Sequence, residues 1–180
     1  MDPVTVEITI DRPRGEVFEY LADIANHAEF TDHFLVDWRL TREESYGQGA
    51  GARYRVKAPL NRYAWGDATL VEVQPPRRIV ERGRFGKFNR VRTRAVYELD
   101  DAPGGQTRVR LTFETQPKML SDRLQEVLGG SLWLKRKNAR ALKRLRAILE
   151  EGRQRGKRPT IAGGPRKPAS AYRFRPQPTR

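Results

Sequence analysis

The stretch Val4-Thr5-Val6-Glu7-Ile8-Thr9-Ile10-Asp11-Arg12-Pro13-Arg14-Gly15-Glu16-Val17-Phe18-Glu19-Tyr20-Leu21-Ala22-Asp23 changes its hydrophobic period within a few residues. Val4, Val6, Ile8 and Ile10 alternate with Thr5, Glu7 and Thr9, which predicts a strand with one buried face. Asp11 followed by Pro13 predicts a helix start, a capping side chain just ahead of a proline in the first turn. Val17, Phe18, Leu21 and Ile24 then recur at helical spacing and give that helix one apolar face. A second short helix or helical loop is expected over 23–34, where Phe30 and Phe34 lie four apart. Val36, Trp38 and Leu40 then restore alternation.

Working outward, the pattern to Thr115 is strand after strand. Gly47, Gly49 and Gly51 mark a turn, after which Ala52, Tyr54 and Val56 alternate with Arg53, Arg55 and Lys57. Runs over 65–73, 79–85, 91–99 and 109–113 follow, separated by Pro75-Pro76, by Gly86-Lys87-Phe88-Asn89 and by residues 100–106. Connections this short require antiparallel neighbours, because a parallel crossover takes about a dozen residues or more. The last element is a long helix over roughly 120–151. Its stripe is Leu120, Leu124, Val127, Leu128, Leu142, Leu145 and Leu149. Gly129-Gly130 interrupts it at a cost of about 2 kcal/mol relative to two alanines, and is expected to kink the helix.

The chain has 180 residues, no cysteine and a net charge of +14. Disulfide frameworks and thiol chemistry are therefore excluded. The N-terminus lacks the basic and apolar regions of a signal peptide, and no run approaches the roughly 18 apolar residues of a membrane span, so a soluble, cytoplasmic protein is expected. Nine of the positive charges lie at 152–180, a stretch without Asp or Glu, which leaves +5 for the other 151 residues. Its Arg, Lys, Pro and Gly composition has no sustained period, so 1–151 is expected to form one domain and 152–180 a basic, disordered tail.

The order is strand, two short helices, about six antiparallel strands and a long helix. That order, with Glu16-Val17-Phe18-Glu19-Tyr20-Leu21-Ala22-Asp23, Glu72-Val73-Gln74-Pro75-Pro76-Arg77-Arg78-Ile79 and the Leu-rich final helix, resembles the SRPBCC (START-like) superfamily, and within it the polyketide cyclase/dehydrase-like group. The resemblance covers residues 1 to about 151. It implies an α+β helix-grip fold of the START/Bet v 1 type, with a curved antiparallel sheet of six or seven strands around the C-terminal helix. It also implies an internal cavity that binds a hydrophobic small molecule such as a lipid, a quinone or a polyketide-like aromatic. A binder without catalysis, or with weak catalysis, is expected ahead of a cyclase/dehydrase-type enzyme.

Polar residues at inward strand positions mark the candidate site. Glu81 shares a face with Ile79 and Phe85. Thr93 lies between Val91 and Ala95, and Tyr54 and Tyr97 point inward in their own strands. On the helix, Ser131 and Asn138 fall in or near the stripe, and Lys135 joins them if the helix runs straight. A buried charge or amide costs several kcal/mol without a partner, so these positions call for one. The expected ligand-binding set is Phe30, His33, Phe34, Tyr54, Glu81, Phe85, Thr93, Tyr97, Leu128, Ser131 and Asn138, with Glu81 and His33 as candidate proton carriers if the protein is an enzyme. His27 and His33 are the only histidines, both in a helical loop that looks exposed. No third ligand joins them, so neither a metal nor a cofactor is expected.

Basic residues also alternate on outward strand positions: Arg53, Arg55 and Lys57, then Arg90, Arg92 and Arg94, then Arg108 and Arg110. Neighbouring strands would merge them into a positive face, expected simply to be solvated. Lys135, Arg136, Lys137, Arg140, Lys143, Arg144 and Arg146 form a second cluster on the helix. In the tail, Tyr172-Arg173-Phe174-Arg175 interleaves aromatics with cations. That pattern suits contact with single-stranded nucleic acid or an anionic membrane, so residues 152–180 carry the alternative partner. Oligomeric state is not specified by the sequence.

Overall fold

A computed structural model describes residues 2–57, 65–86, 91–116, 130–153, 156, 159–161 and 164–165. The elements run β1 (Val4–Ile10), α1 (Arg14–Leu21), α2 (Ile24–Thr31), β2 (Leu35–Leu40), β3 (Gly51–Val56), β4 (Trp65–Gln74), β5 (Arg78–Phe85), β6 (Val91–Ala102), β7 (Gln106–Gln116) and α3 (Ser131–Glu151). Two-residue strands β8 (Thr160–Ile161) and β9 (Gly164–Pro165) follow. The order across the sheet is β1-β7-β6-β5-β4-β3-β2-β8-β9, and the first seven strands pair antiparallel throughout. This is the helix-grip architecture: an open curved sheet, two short helices after β1, and a long C-terminal helix.

Local chemistry explains the bends. Asp37 adopts φ 56° where the β2–β3 register shifts between Val36 and Arg39, and a second shift lies between Leu70 and Glu72 of β4. Gly83 in β5 sits so close to β4 that a Cβ would collide with the Asp67 carbonyl. A side chain there would push the strands apart, so glycine permits the close approach.

The core is the concave face of the sheet plus α1 and α2. Phe18, Leu21, Ile24 and Phe30 meet Leu70, Ile79, Leu99 and Val109, and Leu142, Leu145 and Ile148 of α3 close over them. The buried stripe of α3 thus matches the sequence periodicity from Asn138 onward. Gly130 forms a π-type turn just ahead of the helix, while Leu120, Leu124, Val127, Leu128 and Gly129 lie outside the described residues. Gly152 ends α3 in the left-handed conformation, φ 69°, with its N–H on the Ile148 carbonyl at 3.0 Å.

One local expectation is corrected. Asp11 does not cap α1. Pro13 occupies the cap position, and the Asp11 amide instead donates to Glu150 of α3 at 2.7 Å, tying the end of β1 to the C-terminal helix. Asp23 does cap, its carboxylate accepting from the Ala25 amide at 3.0 Å. Lys135, expected inward only if the helix ran straight, is exposed, and the buried stripe passes through Asn138 and Leu142.

Beyond Gly152, where composition predicts disorder, three short stretches lie against the domain. The Gly156 amide donates to the Glu29 carbonyl at 2.9 Å, Pro159 is buried, and Thr160 pairs beside Arg39 while its hydroxyl donates to the Trp38 carbonyl at 3.2 Å. The exposed edge of β2 offers unpaired backbone groups, and an extended segment satisfies them whatever its composition. The segment 172–175 lies outside the described residues. Among the described residues, no helix is long and apolar enough to cross a membrane.

Candidate functional site

Glu81 sits at the middle of the concave face. The register places it between Leu70 of β4 and Ala95 of β6, with Ile79 and Tyr97 paired one step along the same face. Its neighbours are apolar, and its side chain is only 14% exposed. Its charge is met from above by α2. Because Asp23 starts that helix at Ile24, His27 and Phe30 lie three residues apart on one face, and both are buried.

The His27 ring is held at both nitrogens. Nε2 lies 2.8 Å from the Leu21 carbonyl oxygen, which can only accept, so Nε2 carries a hydrogen. Nδ1 lies 2.7 Å from a carboxylate oxygen of Glu81. Two bare lone pairs at that distance would repel, so the contact calls for a proton, carried either by the ring as an imidazolium facing a carboxylate or by the acid beside a neutral ring. Burial alone lowers the His27 pKa. The charge and hydrogen bonding of Glu81, helped by the Leu21 carbonyl, outweigh it and leave the value raised. The ring also packs tilted on Phe30 at 5.3 Å and edge-on to Tyr97 at 5.7 Å between centroids.

Tyr97 and Tyr54 complete the polar centre. Burial, and then the negative charge of Glu81, push both phenols above their ordinary pKa, so both stay protonated at any physiological pH. Tyr54 stacks tilted on Trp38 at 4.8 Å and lies beside Gly66, whose missing Cβ leaves room for the Tyr54 ring and for Phe85. Thr93 and Phe85 are half-buried on this face, and the Thr93 hydroxyl stands against Gly83.

The other anticipated residues gather under α3. Phe30 and Phe34 are buried, and Phe34 meets Trp133 edge-on at 6.1 Å and His33 at 4.8 Å. His33 is half-buried, with Nε2 on the Lys137 carbonyl at 3.2 Å; burial lowers its pKa, as do Arg144, Arg140 and Lys137, against the opposing effect of that carbonyl. Asn138 is buried, and its side-chain nitrogen makes no hydrogen bond among the described residues. Ser131 is half-buried at the start of α3, and Leu128 lies outside the described residues.

The expectation that the histidines occupy an exposed loop is corrected for His27, which is 2% exposed in a helix buried along its whole length, while His33 beyond that helix is half-buried. His27 was therefore missed as the partner of Glu81. A signal was available, since an inward carboxylate requires a cation and His27 shares a helical face with Phe30. Among the described residues, no group of three or more His, Asp or Glu side chains is placed to hold a metal ion.

The comparisons agree with this geometry. KanY protein, solved by NMR, superposes with a TM-score of 0.67 at 15% identity, covering 82% of this chain and 97% of its own. Truncated norcoclaurine synthase from Thalictrum flavum gives 0.62 at 11% identity, covering 83% and 94%. DynU16, a putative protein in the dynemicin biosynthetic locus, gives 0.57 at 18% identity; the match covers 86% of this chain and 49% of that one. At such identities the likeness is one of fold. No curated protein matches the sequence significantly. The profile of one family does match, over residues 1–150, and with the helix-grip fold it places the chain in the polyketide cyclase / dehydrase and lipid transport family.

Proposed function

We propose that the protein binds a hydrophobic small molecule with a polar end between the concave face and α3. The observation that carries this reading is the His27–Glu81 contact at 2.7 Å, an acid and a base held together on the apolar concave face. Such a pair rarely adds net stability over apolar side chains of the same volume, so stability alone does not account for it. Glu81 with the protonated phenols of Tyr54 and Tyr97 would orient a hydroxyl or carbonyl group, while Phe30, Phe34 and Phe85 cover the apolar body. The family description, which spans cyclases, dehydrases and lipid transport, supports a ligand of this character.

The test is to purify the protein natively, denature it and identify the released small molecules by mass spectrometry, with Nile red as a probe for emptied protein. An apolar compound bearing a hydroxyl or carbonyl is expected, displacing Nile red from the wild type and about tenfold more weakly from Glu81→Gln. No released compound together with no Nile red binding would overturn the reading.

The same pair favours cyclase-type catalysis as a second reading. With Nε2 locked on Leu21, proton exchange is confined to the Nδ1–Glu81 side. Glu81 would take a proton from a carbon next to a ligand carbonyl, and Tyr97 would hydrogen-bond the developing oxyanion. Turnover of a poly-β-ketone probe that persists unchanged in Glu81→Gln would eliminate this assignment.

A further inference from the structure

The outer face of the sheet carries a row of arginines whose alignment becomes visible only through strand register. Arg39 pairs with Arg53, Arg53 with Asp67, Asp67 with Arg84, and Arg84 with Arg92, so one line across β2 to β6 holds four arginines and one aspartate. The four arginines are exposed. At strand spacings of about 4.8 Å the line is roughly 19 Å long. One step along the strands, Arg82 stands opposite Arg94, again like charge against like, and among the described residues only Arg94 of the two reaches an acid, Glu114 at 3.4 Å. Asp67 is committed to the Arg84 backbone amide at 3.0 Å.

Like charges directly across a strand pair destabilise a sheet. The same face shows that the fold has an alternative. Toward β1, the line Glu7–Arg110–Glu98–Arg78 alternates in sign, with Arg110 bound to Glu7 at 2.6 Å and reaching Glu98 at 3.8 Å. The arginine row sets only Asp67 against four cations, and the surplus positive charge faces solvent.

An aromatic ring marks which one. Trp65, paired with Arg55 at the start of β4, is 37% exposed on this outer face, with the guanidinium carbons of Arg39 and Arg53 at 5.7 and 5.6 Å from its ring. A flat ring beside the middle of the row, two residues along β4 from Asp67, offers a stacking surface that a base could take in place of the two guanidinium groups, freeing those cations for phosphates. Unpaired bases can use such a platform, whereas duplex bases are already stacked. We propose that the convex face over β2 to β6 is a binding surface for single-stranded nucleic acid, with phosphates along the arginine row and a base on Trp65. The surface is independent of the ligand site on the other side of the sheet.

The test uses the full chain and fluorescence anisotropy with a labelled 20-nucleotide oligo(dT), the duplex of equal length, and vesicles containing 30% phosphatidylserine. Four phosphate contacts predict about a 50-fold loss of affinity for the single strand between 50 and 200 mM salt. Arg84→Gln/Arg92→Gln should reduce the log–log salt slope by about 1.4, and Trp65→Ala should weaken single-strand binding about tenfold while Trp65→Phe largely restores it. Because the basic tail can also attract polyanions, Arg173→Gln/Arg175→Gln is the comparison, and it should leave the Trp65 effect in place. The proposal is overturned if the row and Trp65 variants bind as wild type does, if the duplex binds as tightly as the single strand, or if only the vesicles bind.

Discussion

The two faces of the same strands treat charge in opposite ways. On the concave face, the carboxyl group of Glu81 is met by the His27 ring at 2.7 Å, and the neighbouring phenols stay neutral. On the convex face, where the row crosses β5 three residues from Glu81, Arg39, Arg53, Arg84 and Arg92 line up with one aspartate among them. Burial explains the contrast. A charge in a low-dielectric interior must be neutralised within the fold, whereas an exposed charge is screened by water and salt and can remain unbalanced until a partner arrives.

Breaking the inner pair should have the largest effect, and an asymmetric one. His27→Leu leaves Glu81 facing an apolar interior, and protonating an ordinary carboxylate at pH 7 costs up to about 3.7 kcal/mol, so a loss of about 2–4 kcal/mol is expected. Glu81→Leu leaves an imidazole that can shed its proton near neutrality and keep the Leu21 carbonyl, so the loss should stay under about 1.5 kcal/mol. Urea unfolding of both single variants and the double variant measures the difference; equal losses would mean that the pair is not ionised.

Next comes the contact between strands that curves the inner face. Gly83→Ala drives a Cβ into the Asp67 carbonyl and should cost about 1–3 kcal/mol by the same measurement, although alanine adds only one methyl group.

The two histidines should tilt stability with pH in opposite directions. The folded-state pKa of His27 is raised, so its contribution is complete below about 6.5 and fades as pH climbs through the folded value. That of His33 is lowered, so its contribution is present above about 6.5 and is lost as pH falls toward the folded value. Urea midpoints from pH 5.5 to 8.5 should show a flatter alkaline limb in His27→Gln and a flatter acid limb in His33→Gln.

The smallest effects lie on the outer face, and there the sign carries the information. Arg92→Glu, at a position paired with Arg84 on one side and Gln116 on the other, relieves repulsion in the arginine row and should raise stability by about 0.5 kcal/mol while weakening oligonucleotide binding. Glu98→Arg breaks the alternating line and should lower stability by a similar amount without affecting that binding. Equal and opposite shifts of Tm would confirm that one line is balanced for folding and the other is left open for a partner.

Much of the site was legible before any coordinates. Glu81, Tyr97 and Thr93 could be placed inward because a strand alternates faces, and Asn138 because a helix repeats every 3.6 residues. His27 was legible only indirectly, through the cation that an inward Glu81 requires: a helical loop rich in Asp, Glu and His reads as exposed, and packing against α3 and the sheet buries it. The Asp11–Glu150 tie escaped for a similar reason, since capping is a local pattern and the acceptor came from the far end of the chain. Residues 160–161 were read from composition, which carries no information about an unpaired strand edge nearby.

The sequence alone determined the elements, their order, the antiparallel pairing and the inward set of side chains, because each follows from backbone geometry over a few residues. Which carboxylate met which imidazole, and which arginines stood side by side, were decided only in the tertiary structure. Both depend on the register between strands and the seating of α2, and register is set by bulges, close glycine contacts and packing across the whole core.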